Sequence, residues 1–230
     1  MELQYLHGAI SNWFDANEVE HKAGSKPYSL TPLSQRGEEF GVEIATLTSE
    51  AALRLHTACV QGTVVRLGPQ QGRVAAAPTL VDVVAWESLG ARPQNMWSLD
   101  FLTPTVFRRG KRYSPLPTPQ SITRSLSYQW NAWSGLESIR LDHAEVDQVW
   151  VSSFEGGSHP IRLRFKREVT RTYEGFVGRL TLRCDDDTVA AATARLLGVA
   201  PYAGVGSFTL RGLGVTRFAD VQEHRHAVAR

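Results

Sequence analysis

Apolar residues change their spacing several times along the chain, and each change marks an element. Leu3, Leu6, Ile10, Trp13 and Phe14 recur at helical spacing and predict an amphipathic helix from Leu3 to Phe14. A polar loop follows, ending in Lys26-Pro27-Tyr28-Ser29-Leu30-Thr31-Pro32-Leu33. Phe40 to Leu47 alternates like a strand. Ser49 and Glu50 then open a helix reaching to Gln61, with Ser49 as its N-cap. Thr63 to Leu67 and Val74 to Trp86 predict further strands.

The second half repeats the rhythm. Phe101 to Phe107 is strand-like, and Ser121 to Trp133 is helical with Ile122, Leu126 and Trp130 on one face. Val149 to Phe154 and Ile161 to Phe165 predict a hairpin joined by a turn at Gly156 and Gly157. Phe176 to Cys184 predicts a strand, Asp186 to Leu197 a helix, and Gly206 to Phe218 extended structure. The fold class expected is α+β, two tandem ferredoxin-like (βαββαβ) sandwich domains. The first strand of the N-terminal domain is missing, because the chain starts at the helix.

Composition narrows this picture. The 42% of hydrophobic residues suffices for a packed core. Two cysteines, Cys59 and Cys184, argue against a disulfide scaffold. No apolar run approaches a membrane span and no basic-then-apolar leader opens the chain, so a soluble, cytoplasmic protein without a membrane partner is expected. The 25 Lys and Arg against 23 Asp and Glu leave a net charge of +2, which excludes a polycation of histone type. Placement matters more than the total. Arg108, Arg109, Lys111 and Arg112 put four cations in five residues, just before a proline-rich stretch from Pro115 to Pro119 that reads as an interdomain connection. In the predicted second sheet Arg162, Arg164 and Lys166 alternate with Ile161, Leu163 and Phe165, while Arg179 and Arg183 alternate with Leu180, Leu182 and Cys184. With helices covering one face, the other would carry these five cations. Such a face suits a polyanion, and a solvated face without a ligand reads the same way.

Two stretches carry candidate chemistry. Gly204-Val205-Gly206-Ser207-Phe208-Thr209-Leu210-Arg211-Gly212-Leu213-Gly214 follows a predicted helix. Its glycines let backbone amides approach a phosphate, with Ser207 and Arg211 as further donors. It is not a nucleotide-binding P-loop, since no Lys-Ser or Lys-Thr follows the glycines, and a glycine-rich turn between helix and strand remains the plain alternative. In the first polar loop His21 lies near Lys22 and Lys26. An imidazole exchanges protons near neutral pH, a lysine stabilises negative charge, and Tyr28 is close enough to orient a substrate. His7 and His56 fall within helices, and His224 and His226 lack a cluster at metal-ligand spacing. Asp185, Asp186 and Asp187 precede a helix and suit its N-terminus. No metal site and no cofactor is expected.

These pieces together resemble the RAMP-superfamily endoribonucleases that process CRISPR repeat RNA. Gly204 to Gly214 resembles their C-terminal glycine-rich signature, and Leu6-His7-Gly8-Ala9-Ile10 their first helix. His21 to Leu33 resembles their catalytic loop and following strand. Phe101-Leu102-Thr103-Pro104-Thr105, Leu116-Pro117-Thr118-Pro119 and Leu126 to Trp133 resemble the start of their second domain. The resemblance implies an N-terminal domain over 1–99 with the catalytic loop, and a C-terminal domain over 100–230 with the glycine-rich loop. It implies metal-independent cleavage of CRISPR precursor RNA within its repeats, the 2′-hydroxyl attacking the adjacent phosphate to leave 2′,3′-cyclic phosphate and 5′-hydroxyl ends. His21 matches the catalytic histidine and Lys26 a catalytic lysine, with Tyr28 beside them. Ser11 stands where such enzymes often carry a tyrosine. Lys22, Arg108, Arg109, Lys111, Arg112, Arg162, Arg164, Lys166, Gly204, Gly206, Ser207, Arg211, Gly212 and Gly214 would bind the RNA. Expected partners are repeat RNA and other subunits of a CRISPR effector complex, for a monomer or a homodimer. The alternative function is a non-catalytic RNA-binding subunit of such a complex.

Overall fold

Leu99, Phe101, Leu180 and Leu182 are shielded from solvent because they lie on one face of two adjacent strands, the pattern their alternation predicts. The computed structural model describes residues 3–15, 25–165 and 169–219. Strand β7 (Met96–Thr105) lies at the centre of a four-stranded antiparallel sheet with β10 (Val149–Arg164), β11 (Thr170–Cys184) and β12 (Thr216–Phe218), in the order β10-β11-β7-β12. Helix α3 (Pro119–Trp133) joins β7 to β10, and α5 (Asp187–Ala203) joins β11 to β12. This is the βαββαβ order of a ferredoxin-like unit. Ile122, Leu126 and Trp130 face the sheet as predicted, and α5 adds Ala194, Leu197 and Val199 to the same core.

The N-terminal unit is built from shorter pieces. Helix α1 (Leu3–Phe14) packs on α2 (Ser49–Ala58) and on β1 (Tyr28–Leu30), which pairs with β4 (Ile44–Thr46). Between them β2 (Ser34–Arg36) and β3 (Glu39–Gly41) form a hairpin, and after α2 β5 (Val64–Leu67) pairs with β6 (Gln70–Arg73). Among the described residues no strand joins β4 to β5, the place a first strand takes in this topology. Among the described residues no helix is long and apolar enough to cross a membrane.

Several predicted elements are corrected. Phe40 to Leu47 is two strands rather than one: Thr31 Oγ1 accepts from Glu43 N at 3.0 Å, breaking the run between hairpin and core sheet. Thr48, not Ser49, caps α2, accepting from Ala51 N at 3.1 Å. Val74 to Trp86 is irregular, with Leu80, Val81 and Val83 exposed. Strand-forming residues do not make a strand without a neighbour to pair with. Gly156 and Gly157 do not turn the chain. Gly156 sits opposite Gly178 at φ +139° and +148°, where an added Cβ would lie 2.3 and 2.2 Å from backbone oxygens of the facing strand, so the pair lets two long strands run on in close approach. The prolines are not a linker either. Pro119 opens α3, and Thr118 caps it by accepting from Ser121 N at 3.2 Å.

The two units share packing. Trp86 meets Trp130 edge-on at 5.6 Å, and Leu89 and Leu47 also belong to the second core. That core therefore begins before the 99/100 division, which falls inside β7. Truncating Leu126, wholly buried at its centre, to alanine is expected to lower the unfolding free energy by about 2–5 kcal/mol, read as a shifted midpoint in urea at unchanged slope.

Candidate active site

Where α1 ends, a helix terminus with partial negative charge meets a carboxylate, Asp15, an arrangement that calls for a cation. Lys26 supplies it. Its Nζ lies 2.6 Å from Asp15 Oδ1, with both side chains almost fully buried. The pair brackets residues 16–25. His21 and Lys22 lie outside the described residues. Just inside the bracket, Ser25 Oγ accepts from Trp133 Nε1 at 2.9 Å and donates to Gln129 Oε1 at 3.4 Å, so the end of this segment is tied to α3 of the other unit.

Two expected roles change here. Lys26, expected to face the reacting phosphate, is committed to Asp15 and only 7% exposed. Tyr28, expected to orient a substrate, is a core residue. Its ring stacks on Phe14 at 3.9 Å and 13°, and burial, reinforced by the Asp15 charge, pushes its phenol well above the usual range. It offers a substrate no accessible atom. Ser11 is buried as well, its hydroxyl donating to Gly8 O at 3.3 Å.

The glycine-rich segment folds back on itself between the units. Gly204, Gly206, Gly212 and Gly214 all have left-handed φ between +69° and +86°. At Gly214 a Cβ would lie 2.0 Å from Val205 O, and at Gly212 2.8 Å from Pro32 N, so no side chain fits. Leu210 packs against the α1–β1 core. The expected amide cradle does not form at the glycines, because their amides and those of Val205 and Ser207 are used inside the protein. Val205 N donates to Gly214 O (2.8 Å), Gly206 N to Ser125 Oγ (2.8 Å), Ser207 N to Val106 O (2.7 Å) and Gly214 N to Pro104 O (3.2 Å). Arg211 is different. Its guanidinium lies over the rings of Phe165 (4.8 Å) and Phe208 (5.8 Å), and burial lowers its pKa.

The remaining cations fall in separate places. Arg108, Arg109, Lys111 and Arg112 form an exposed hairpin, β8 (Phe107–Arg109) and β9 (Arg112–Ser114), in which Arg109 pairs with Arg112. Arg109 Nη2 reaches the hydroxyls of Thr118 (3.3 Å) and Ser121 (3.5 Å). The five-cation sheet face does not form. Arg162 and Arg164 lie opposite Thr172 and Thr170, whereas Arg179 and Arg183 lie opposite Glu155 and Trp150, so the two pairs alternate out of phase along β11 and leave on opposite faces. Arg179 is further held by Asp100 at 2.5 and 2.9 Å. Lys166 lies outside the described residues. Asp186 caps α5 through Val189 N at 2.9 Å, as its position predicts.

Sequence reading passed over Asp15, Ser25, Phe165 and Phe208. Asp15 carried a signal, an acid at the wrong end of a helix. The rings carried none, since their meeting depends on the twist of the long hairpin.

Comparison with known proteins agrees with this architecture. The family model described as CRISPR-associated endoribonuclease Cas6 matches residues 99–216. The CRISPR-associated endoribonuclease Cas6 of Mycobacterium tuberculosis (strain ATCC 25618 / H37Rv) is 27% identical over 225 residues, covering 93% of this chain and 70% of that protein. Among solved structures, a Cas6 (TTHA0078) product complex superposes with a TM-score of 0.78 at 26% identity, over 95% of this chain and 93% of that one. Thermus thermophilus Cas6 (TTHB231) gives 0.64 at 26% identity, over 94% and 91%.

Removing Lys26 leaves the Asp15 carboxylate buried without this counter-charge. Lys26→Ala is expected to cost about 3–5 kcal/mol in denaturant unfolding at neutral pH, and Asp15→Asn with Lys26→Met together less than the two single losses added.

Proposed function

This chain belongs to the CRISPR-associated endoribonuclease Cas6 family, whose enzymes process CRISPR RNA, and we propose that it cuts precursor RNA within the repeats without a metal ion. In the proposed step the 2′-oxygen upstream of the scissile phosphate attacks phosphorus while the bond to the 5′-oxygen breaks. The 2′-hydroxyl proton is taken up and a proton is delivered to the leaving oxygen, so the products carry a 2′,3′-cyclic phosphate and a 5′-hydroxyl. The nucleophile belongs to the RNA. The protein has to align it, move protons and balance the charge of the pentavalent phosphorane.

His21 serves as the general acid or base. Lys26, paired with Asp15, acts by positioning: it anchors one end of the segment carrying His21 against α1, while Ser25 anchors it to α3. The exposed cations of the β8–β9 hairpin, with Arg162, Arg164 and Arg211, contact the repeat RNA. Lys22 and Lys166 are proposed with them. The glycines hold the shape of the loop, and Ser207 is its hydroxyl donor to RNA. One observation carries this reading: Leu210 of the glycine-rich segment packs on the same small core as Phe14 and Tyr28, next to Asp15 and Lys26. The loop and the anchors of the His21 segment thus share one core.

End-labelled repeat RNA incubated with the protein in EDTA is expected to be cut once per repeat, with a cyclic phosphate detected by mass spectrometry. His21→Ala is expected to slow cleavage about 10²–10⁴-fold while RNA binding persists. A His21→Ala variant of full activity, or a 3′-hydroxyl product, would refute the mechanism.

A further inference from the structure

With the amides of its four glycines bonded internally, the glycine-rich segment offers a ligand mainly side chains. Phe208 stands out among them. At φ 67° and ψ 26° it is the sole non-glycine residue with positive φ among the described residues, a conformation an L side chain keeps only when its surroundings hold it there. What holds it is a cluster of rings from three elements. The Phe208 ring stacks on Tyr113 of β9 at 5.3 Å and 28°, and lies 5.6 Å from Tyr173 of β11 and 6.2 Å from Phe165 at the end of β10.

Arg211, three residues on, rests on this platform. Its guanidinium lies over Phe165 and Phe208 and donates weakly to Arg164 O at 3.5 Å. Among the described residues no carboxylate pairs with it. Arg171 adds a second guanidinium 6.0 Å from the Phe165 ring. A half-buried cation flanked by aromatic faces and lacking a protein anion is arranged to receive one. A guanidinium whose carbon is held over a ring still has N–H groups to offer, and a guanidinium fork matches two phosphate oxygens.

We propose that Phe208 is a positioning residue for Arg211, its left-handed backbone and ring fixing the guanidinium before an RNA phosphodiester arrives. This rests on the RNA reading above. A side chain already immobilised loses little freedom on binding, so the aromatic seat appears as affinity rather than as chemical rate.

The test uses the full chain, fluorescently labelled repeat RNA for Kd, and cleavage kinetics. Phe208→Ala is expected to raise Kd and KM about tenfold with kcat within about twofold, and Phe208→Tyr to restore both. Arg211→Lys keeps the charge but not the planar group held over the rings, and is expected to lose as much as Phe208→Ala. The double variant should be no worse than either single one. Thermal unfolding monitors integrity; if Phe208→Ala does not fold, Phe208→Leu, which keeps an apolar side chain without the ring, is read the same way. Wild-type affinity in the ring-less variant, or additive losses in the double variant, overturns the inference while leaving the RNA reading intact. Failure of the unaltered protein to bind repeat RNA overturns both.

Discussion

The architecture depends on a backbone constraint at residues 204–214. Four left-handed glycines turn this segment back along itself so closely that Val205 and Gly214 bond to each other and Gly214 also bonds to Pro104. No other residue type fits Gly214, where a Cβ would lie 2.0 Å from Val205 O, or Gly212, pressed on Pro32. The close fold lets one short stretch touch both cores: Leu210 belongs to the N-terminal one, Val205 to the C-terminal one. Ser29, bonding the carbonyl of Tyr202, ties the units together at the same place. The glycines therefore act as a hinge pin whose hydrogen bonds are used internally, and a ligand is left to the side chains mounted on it.

The second organising interaction is the Asp15–Lys26 pair. Two charges buried this deeply cost several kcal/mol each in lost hydration, so the pair adds little net stability. What it adds is geometry. A carboxylate at the C-terminus of α1 repels the helix carbonyls, and a cation delivered to that point relieves the repulsion. Residues 15 and 26 are thereby held together, and the intervening segment is constrained at both ends whatever its own conformation. Within an endoribonuclease of the Cas6 family, a strict closure at this place suits a segment proposed to carry the proton-transferring group.

The regular, strongly periodic parts of the fold could be read from sequence, and the reasons for failure elsewhere are specific. Ile122, Leu126 and Trp130 share a face because helical periodicity is a local property, and Leu180, Leu182 and Cys184 share one because strand alternation is. The Gly156–Gly157 turn was a misreading because glycine also serves close strand approach, and only the facing Gly178 reveals which use applies. The five-cation sheet face failed through register: one strand's alternation says nothing about how the next strand is phased against it. At the site, the glycine motif was visible but the destinations of its amides were not, since Ser125, Val106 and Pro104 are remote in sequence. The ring cluster was invisible for the same reason.

Long-range attraction does not explain how such a chain would hold a polyanion. Its net charge is +2, and at physiological salt an exposed charge is screened over about 8 Å. Some of its positive charge is also engaged locally: Lys26 by Asp15, Arg179 by Asp100, Arg54 by Glu50. What distinguishes Arg109 of the hairpin and Arg211 is that nothing anionic neutralises them among the described residues, while hydroxyls or rings limit where they point. On the RNA reading, selectivity then comes from matching a few fixed cations to phosphate positions on a folded or stacked strand. A duplex or loop with phosphates elsewhere meets the same total charge and fewer partners. A protein built this way trades general affinity for shape, and its near-neutral composition is the condition that makes the trade work.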